Sequence, residues 1–261
     1  PDEDALLLQA VSRIVLSDRA GTLAEQLDRA VPAKEETIPF KPTRKAEKST
    51  PEEGAVPRRE LLFCNGMGGF TPDGREYIIT LEPGAVTPAP WVNVLANPQF
   101  GTVVSESGAA YTWYRNAHEF RLTPWTNDAV SDVSGECFYL RDEESGVFWA
   151  PTPGPARGRT PYVTRHGLGY TAFEHTEQGI AAESYVYVAP DAPLKFMAVS
   201  IRNTSERPRR LSLTGYVEWV LGESRQRNAM HVASRLDPRT GALFASNAYG
   251  QDMAGAVADR L

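Results

Sequence analysis

From residue 61 onward, apolar and polar residues alternate in short runs that are separated by Gly, Pro, Asn and Asp. The alternation is regular over residues 194–202, where Met197, Val199 and Ile201 occupy every second position. A period of two places these side chains on one face of a strand, against a core, and the others on the opposite face. Many such runs with turn residues between them predict a mainly β fold, a large antiparallel β-sandwich.

Eleven strands are predicted on this basis, at residues 76–81, 91–95, 101–105, 111–114, 137–141, 147–150, 169–176, 180–188, 194–202, 211–221 and 240–249. Short polar connections predict which strands pair as hairpins. We expect 137–141 to pair with 147–150, and 169–176 with 180–188. We expect 194–202 to pair with 211–221 across the long polar turn 203–210.

The N-terminal residues have a different pattern. Apolar residues recur at helical spacing over residues 3–29, with a break at Gly21 and a capping-box sequence, Thr22 to Glu25, that predicts a second short helix over 23–29. Residues 31–59 contain interleaved prolines and charges, which predict an extended linker of a composition typical of disorder. We therefore predict a helical segment 1–30, a linker 31–59 and a β-sandwich domain 60–261, all cut from a longer polypeptide.

Composition excludes several classes of function. The net charge of −6 argues against nucleic-acid binding, and the one basic run, Arg207, Arg209 and Arg210, is expected at a solvated hairpin tip. No apolar run approaches the roughly 18 residues of a membrane span. Cys64 and Cys137 are far apart in sequence, so we expect two free, buried thiols in a reducing compartment. The four histidines are not at ligand spacing, so no metal site is expected.

The stretch from Arg165 to Thr171, Arg-His-Gly-Leu-Gly-Tyr-Thr, carries the most distinctive chemistry. Two glycines allow a tight turn, and Arg165 and His166 beside it supply polar donors. Two interpretations stay open. The two side chains point into a polar pocket shared with a neighbouring domain, or Arg165 pairs with a local acid while His166 caps a strand.

Two further groups are candidates for contacts with sugars. One is a loop that carries Arg115, His118, Glu119 and Arg121, which either supplies hydrogen bonds to sugar hydroxyls or forms a salt-linked cluster. The other is the pair Asp128 and Asp132 near Trp125, which either flanks a sugar or consists of turn residues that bond their own backbone. For the aspartates, the turn interpretation is favoured.

Several motifs together resemble one family. The chain is similar to the inverting glycoside phosphorylases of the cellobiose and chitobiose group, classified as glycosyltransferase family 36 or glycoside hydrolase family 94. It resembles most closely the phosphorylase-like region of cyclic β-1,2-glucan synthases. The motifs are Asn65-Gly-Met-Gly-Gly-Phe-Thr, Asp73-Gly-Arg-Glu-Tyr77, Pro90-Trp-Val-Asn93, Ser105-Glu-Ser-Gly-Ala-Ala-Tyr-Thr-Trp113, Arg121-Leu-Thr, Tyr139-Leu-Arg-Asp142, Arg165-His-Gly-Leu-Gly-Tyr-Thr171 and Tyr216-Val-Glu-Trp-Val-Leu-Gly222.

The resemblance implies a galactose-mutarotase-like supersandwich, followed in the parent protein by an (α/α)6 barrel that holds the catalytic acid. It implies no catalytic residue, metal or cofactor in this chain, with inorganic phosphate as co-substrate of the intact enzyme. Arg165, His166 and Gly167 would contact the acceptor sugar. The loop with Arg115, His118, Glu119 and Arg121 would contact a second copy in a homodimer or cover the site.

The resemblance further implies a β-glucan or gluco-oligosaccharide and the downstream barrel as partners, and no nucleic acid. It places the membrane-bound parent at the cytoplasmic side of the bacterial inner membrane. Two other functions stay open. One is a self-sufficient carbohydrate-binding module, and the other is a mutarotase-like sugar epimerase that uses a histidine and carboxylates.

Overall fold

The computed structural model describes residues 16, 18, 21–30, 56 and 59–248. The predicted helical pattern before Gly21, nearly all of the predicted linker 31–59, and residues 249–261 lie outside this described part. The chain divides into two compact units, Pro1–Pro42 and Thr43–Leu261.

The first unit contains helix α1, Leu23–Ala30, where the sequence predicts a helix. Its capping box is present. The backbone N–H of Thr22 donates to Glu25 Oε2 over 2.8 Å, and the N–H of Glu25 donates to Thr22 Oγ1 over 3.4 Å. These bonds satisfy donors that the first turn of a helix leaves free.

The second unit is built from strands. They are β1 (Gly68–Phe70), β2 (Glu76–Leu81), β3 (Val92–Ala96), β4 (Phe100–Ser105), β5 (Ala110–Tyr114), β6 (Glu136–Asp142), β7 (Phe148–Trp149), β8 (Tyr162–Gly167), β9 (Tyr170–Glu177), β10 (Ile180–Val188), β11 (Lys195–Asn203), β12 (Leu211–Val217), β13 (Val232–Leu236) and β14 (Leu243–Asn247). One short helix, α2 (Arg225–Asn228), precedes β13.

The described strands form antiparallel sheets. A six-stranded sheet has the order β1-β2-β8-β9-β10-β11, two three-stranded sheets have the orders β3-β4-β5 and β12-β6-β7, and β13 pairs with β14. One face of the large sheet covers both small sheets. Phe173 and Val186 pack against Leu95 and Val104 of β3-β4-β5, whereas Ile180 packs with residues of β6 and β7. The mainly β sandwich predicted from the alternation is confirmed.

The predicted pairing of 194–202 with 211–221 is wrong. Strand β11 pairs with β10 in the large sheet, and β12 pairs with β6 in a small one, so the turn 203–210 crosses between layers. The second strand also ends earlier, at Val217. Alternation shows that a strand has one buried face, but it does not identify the strand beside it. The other two predicted hairpins, β6–β7 and β9–β10, are confirmed.

Arg209 holds the crossing turn between the layers. Its Nη2 lies 2.6 Å from Asp142 Oδ2, and its Nη1 donates to the carbonyl oxygen of Gln178 over 2.6 Å. The Arg209 side chain is only 3% exposed, so the expectation of a solvated basic tip is wrong for this residue. Arg207 does lie in solvent, where it pairs with Glu144.

The two thiols differ in environment. Cys137 is buried on β6, but Cys64 is exposed, which corrects the expectation that both are buried. Cys64 lies in the loop before β1, outside the packed sheets, and both cysteines are free.

A buried ion pair joins all three of the larger sheets. Lys195 Nζ of β11 lies 2.6 Å from Glu136 Oε2 of β6 and donates to Thr102 Oγ1 of β4 over 3.1 Å. Thr112 and Thr123 donate their hydroxyls to Glu136 Oε1 over 2.6 and 2.5 Å. Burial alone would raise the pKa of Glu136, but the Lys195 charge and these hydrogen bonds outweigh it and hold that pKa below its usual value.

We expect Lys195→Met to lower the free energy of unfolding by about 3–5 kcal/mol, because it leaves the Glu136 carboxylate buried without its counter-charge. Adding Glu136→Gln should recover part of that loss, since the neutral amide keeps its bonds to the threonine hydroxyls. Urea unfolding measures both values. Arg207→Met, which removes an exposed ion pair, is the matched control and should cost at most about 1 kcal/mol. A loss of the same small size for Lys195→Met would contradict the importance given to the buried pair.

Candidate functional site

The Arg165-to-Thr171 motif forms a hairpin rather than a loop. Arg165, His166 and Gly167 end β8, and Tyr170 begins β9. Gly169 has φ of +91°, a conformation that residues with a Cβ rarely adopt, so glycine is needed for this tight turn.

Arg165 lies on the face of the six-stranded sheet that is opposite the core, and its guanidinium joins three carboxylates. Nη1 lies 2.5 Å from Glu76 Oε1, Nε lies 2.7 Å from Glu174 Oε1, and Nη2 lies 3.1 Å from Glu183 Oε1. Nη2 also donates to the Tyr185 hydroxyl over 3.0 Å. The contact with Glu174 is close but is not an aligned hydrogen bond. The cross-strand register brings these side chains together, because Arg165 lies beside Ile78 and Ala172, and Glu174 lies beside Glu183.

Neighbouring groups complete this Arg165 cluster. Arg59 Nη2 pairs with Glu174 at 2.6 Å, and the Tyr170 hydroxyl donates to Glu76. Burial by itself would lower the pKa of Arg165, but its bond to Tyr185 and the charge of Glu76 raise that pKa overall. The hydrogen bond to Glu76, and then burial, raise the pKa of Tyr170. The cluster is therefore a charged network in which the guanidinium is permanently ionised.

His166 points to the other face of the sheet, into the core. Its Nε2 lies 2.9 Å from the carbonyl oxygen of Trp91, and its Nδ1 lies 3.0 Å from Thr171 Oγ1. A carbonyl only accepts, so the ring proton belongs on Nε2, and the Thr171 hydroxyl donates to Nδ1. Burial lowers the pKa of His166, although the bond to Trp91 acts in the opposite direction.

Gly167 and Asn93 hold the end of the hairpin. A Cβ on Gly167 would lie 2.5 Å from the ring of Tyr170, so only glycine lets that ring cross β8. The Asn93 amide donates to the carbonyl oxygens of Gly167 and Tyr170, each over 3.0 Å. This amide satisfies two carbonyl groups at the turn and fixes its position on β3.

The structure gives both side chains of the motif local partners and places them on opposite faces of the sheet. Arg165 is paired with acids, and His166 fastens a strand end, but consecutive residues of a strand face opposite sides. A single pocket cannot receive both side chains. Arg165 is surrounded instead by residues that the sequence did not single out: Glu76, Glu174, Glu183 and Tyr185. These side chains lie on the same face of the sheet as Arg165, and only the register of the paired strands could have indicated that.

The sheet face beside Arg165 is aromatic and partly exposed. Tyr187 and Phe196 stack at 5.0 Å with an interplanar angle of 18°, and they are 38% and 42% exposed. Tyr170 and Tyr185 lie next to them, with ring centres 6.1 Å apart. A sugar ring has C–H groups on its faces and hydroxyl groups at its edge. The flat aromatic surfaces offer contact to such faces, and the fixed carboxylates beside them offer hydrogen-bond acceptors to such hydroxyls.

The four candidate residues of the second loop follow β5. Asn116 Oδ1 accepts the backbone N–H groups of His118 and Glu119 over 2.8 and 2.9 Å. Arg121 exchanges backbone hydrogen bonds with Gly222, and the Arg115 guanidinium lies 5.1 Å from the Tyr114 ring centre. Within the described part of the chain, none of Arg115, His118, Glu119 and Arg121 forms an ion pair, so the salt-linked alternative is wrong.

The two aspartates near Trp125 have different roles. Asp128 accepts the N–H groups of Val130 and Ser131, as expected of a turn residue. Asp132 instead accepts the hydroxyls of Ser105 and Ser107 from the end of β4. The turn interpretation holds for Asp128 but not for Asp132.

Among residues that the structure describes, no group of three or more His, Cys, Asp or Glu side chains could hold a metal ion. The same residues include no helix with the length and apolar character of a membrane span.

We expect the ring of His166 to titrate below the ordinary histidine pKa of 6.5, with the neutral ring protonated on Nε2. The unfolded chain then binds the proton more readily, so the stability that neutral His166 contributes is complete above pH 6.5 and is lost as the pH falls. Long-range ¹H–¹⁵N NMR of the ring nitrogens measures both the tautomer and the pKa. An Nδ1-protonated ring, or a raised pKa, would contradict this geometry.

Comparisons with known proteins agree with the architecture. The family profile "Glycosyl hydrolase 94, supersandwich domain" matches residues 75–259. The cyclic beta-(1,2)-glucan synthase NdvB of Rhizobium meliloti (strain 1021) is 39% identical over 268 residues, which is 99% of this chain and 9% of that protein. The N,N'-diacetylchitobiose phosphorylase of Vibrio furnissii is 35% identical over 64% of this chain and 21% of that protein.

The solabiose phosphorylase of Paenibacillus borealis is 34% identical over 60% of this chain and 20% of that protein. The chain thus spans about a tenth of the glucan synthase and about a fifth of the phosphorylases. The profile match covers most of the β unit, and its supersandwich is the architecture described above. The chain belongs to the glycosyl hydrolase 94 family and contains its supersandwich domain.

Proposed function

We propose that this chain is the non-catalytic β-sandwich part of a longer glucan-processing enzyme of the phosphorylase type. The observation that carries the proposal is the 39% identity to a cyclic glucan synthase along 99% of the chain. In the longer enzyme, inorganic phosphate would attack a terminal sugar with inversion, and a carboxylic acid outside this chain would protonate the leaving oxygen. The sandwich would supply sugar contacts and support for that site.

The Arg165 cluster is our candidate for the contact with the acceptor sugar. Arg165 is 16% exposed and already bonded, so its role is to hold Glu76, Glu174 and Glu183 in place rather than to bind alone. Glu183 is the most accessible of the three carboxylates, with 44% of its side chain exposed. Carboxylates held in fixed positions accept hydrogen bonds from sugar hydroxyls at little entropic cost. His166 and Gly167 would contribute by fixing the hairpin that carries Arg165.

The loop that follows β5 is our candidate for a contact with a second copy of the chain. Arg115, His118 and Glu119 are exposed, and the hydrogen bonds to Asn116 fix the loop without using these side chains. Exposed side chains on a rigid loop are suited to reach a neighbouring surface. We propose that this contact forms a homodimer and that the loop covers part of the neighbour's site.

Location is part of the same proposal. We place the longer protein at the cytoplasmic side of the bacterial inner membrane. The support is the similarity to the Rhizobium meliloti glucan synthase, together with two free cysteines in this chain.

The alternative of an epimerase has no specific support. Such an enzyme needs a histidine and a carboxylate that face an accessible cavity. The His175–Glu177 pair, at 3.6 Å, has side chains only 0% and 3% exposed, so no substrate reaches it. A self-sufficient carbohydrate-binding module remains the second candidate, because the exposed Tyr187–Phe196 stack could bind a sugar unaided.

We expect the chain alone to release no sugar phosphate from β-1,2-linked gluco-oligosaccharides and phosphate, and the longer enzyme to release it.

In the longer enzyme, Arg165→Lys should raise the KM for the acceptor sugar in the synthetic direction about tenfold, with little change in kcat. Lysine keeps the charge, but its single nitrogen lacks the planar fork with which Arg165 meets each carboxylate through a separate nitrogen. A fall in kcat at unchanged KM, in a variant that keeps its thermal stability, would refute the acceptor-side role. Arg75→Lys, at an exposed arginine with a long 3.9 Å contact to Asp73, is the control.

We expect the longer enzyme to be a dimer that dissociates when the double substitution His118→Ala and Glu119→Ala removes the exposed loop side chains. Among the described residues, His118 and Glu119 form hydrogen bonds through their backbone N–H groups and not through their side chains, so the fold should keep its thermal stability. Light scattering coupled to gel filtration measures the mass. A monomeric parent, or a dimer that the double variant leaves intact, would refute the role of this loop. A matched double variant at exposed Asp73 and Arg75 should remain dimeric.

A further inference from the structure

A cleft of about 350 Å³ lies where five segments of the sandwich unit meet. Its walls come from the loops 86–90, 129–133 and 153–157, together with Leu81 at the end of β2 and the turn after β4. The volume lies within the usual range of small-molecule sites, about 300–1,000 Å³. None of its lining residues belongs to the Arg165 cluster or to the loop that follows β5.

Arg157 is the unexplained residue of this cleft. Its Nε and Nη2 atoms are buried, yet no residue in the described part of the chain accepts a hydrogen bond from them. Its guanidinium carbon lies 6.0 Å from the Tyr162 ring centre, and the guanidinium forms no ion pair with a described residue. The third guanidinium nitrogen, Nη1, is not buried and donates to no described residue, so Arg157 offers the cleft one charged donor that a ligand can reach.

Two carboxylates line the same cleft. Glu106 is 3% exposed, accepts the Thr87 hydroxyl on one oxygen, and accepts the Trp91 N–H over 2.8 Å on the other. Burial first, and the nearby charge of Asp132 to a smaller extent, raise the pKa of Glu106. Asp132 Oδ2 accepts the Ser105 and Ser107 hydroxyls, whereas its Oδ1 has no hydrogen-bond partner among the described residues.

The wall that carries Asp132 continues into a second cleft of about 200 Å³. This second cleft is also lined by Asp132 and Pro90, and it adds Trp125, whose side chain is 39% exposed. Trp125 is held by Tyr111, with ring centres 4.7 Å apart. An exposed indole at the end of a polar cleft provides a flat apolar surface on which a ring can stack.

The charges decide which ligand fits. A free anion would be attracted by Arg157 but repelled by the carboxylates of Asp132 and Glu106. A neutral ligand with adjacent hydroxyls avoids that repulsion, because one hydroxyl accepts from Arg157 Nη1, the guanidinium nitrogen that is not buried, while another donates to Asp132 Oδ1. Its C–H groups would pack on Pro90 and the indole of Trp125.

We propose that these two joined clefts form an accessory binding site for a short neutral oligosaccharide, with Arg157 and Asp132 as its polar contacts and Trp125 as its stacking surface. The site shares no residue with the Arg165 cluster, so it stands or fails separately from the acceptor-side role proposed above. It would hold a glucan chain on the sandwich without taking part in bond cleavage.

The test is an ¹H–¹⁵N NMR titration of this chain with β-1,2-linked glucobiose, and separately with inorganic phosphate. We expect saturable shifts from the sugar in amides of residues 125–133 and 153–157. Arg157→Gln should weaken the affinity about tenfold, since a hydrogen bond from a charged donor is lost. The melting temperature should not fall, because Nε and Nη2 of Arg157 donate to no described residue in the free chain.

Arg159→Gln is the matched control. Arg159 is exposed two residues away and bonds to Glu177 only through its backbone N–H, so this variant should bind the sugar like the original chain. The proposal is overturned by an absence of saturable shifts, by shifts confined to the Arg165 cluster, or by equal affinity in Arg157→Gln. Shifts caused by phosphate and not by the sugar would overturn it as well, because they would identify an anion site.

Discussion

The buried pair of Lys195 and Glu136 is the interaction on which the arrangement of the sheets depends. Lys195 belongs to the large sheet and Glu136 to the small sheet β12-β6-β7. The two threonines that bond to them, Thr102 and Thr112, belong to the small sheet β3-β4-β5. Hydrophobic contacts between the layers have no direction, and they would tolerate small shifts of one sheet along another. A buried charge tolerates almost none, because a shift leaves it without a partner in a medium of low dielectric constant. The network therefore selects one alignment of the three sheets.

That alignment also determines where the functional side chains lie. With the inner face of the large sheet committed to the core, every second residue of β8, β9 and β10 is turned to the outside. Arg165, Glu174 and Glu183 fall on this outer face, and His166 falls on the inner one. Arg165 and His166 are consecutive residues of β8 and therefore face opposite sides of the sheet. This alternation places Arg165 in the outer cluster and lets His166 hold the hairpin from the core side. The proposed accessory site depends instead on loops at the rim, where Arg157 and Asp132 are brought to the same cleft.

Much of this was predictable from the chain. The strands around 76–81, 180–188 and 137–141 follow from local alternation and turn residues, and two hairpins follow from short connections. The pairing of β11 with β12 was predicted wrongly because both strands alternate well and adjoin in sequence, while Arg209 carries the turn between them across the layers. The exposed Cys64 was missed for a related reason, since exposure depends on which loops the sheets cover. At the site, the motif at Arg165 was recognisable, but not the acids around it.

By itself, the sequence determined the mainly β class, the faces that each strand buries, and the likeness to the phosphorylases that the family profile then confirmed. These properties are local, because a period of two or a motif lies within a few consecutive residues. Only the tertiary structure decided which strands are neighbours, and therefore that Glu76, Glu174 and Glu183 share one guanidinium. It also decided that Arg157 faces a cleft without a described hydrogen-bond partner for Nε or Nη2. Ion pairs and clefts join residues far apart in the chain, and their positions follow from the register of whole sheets.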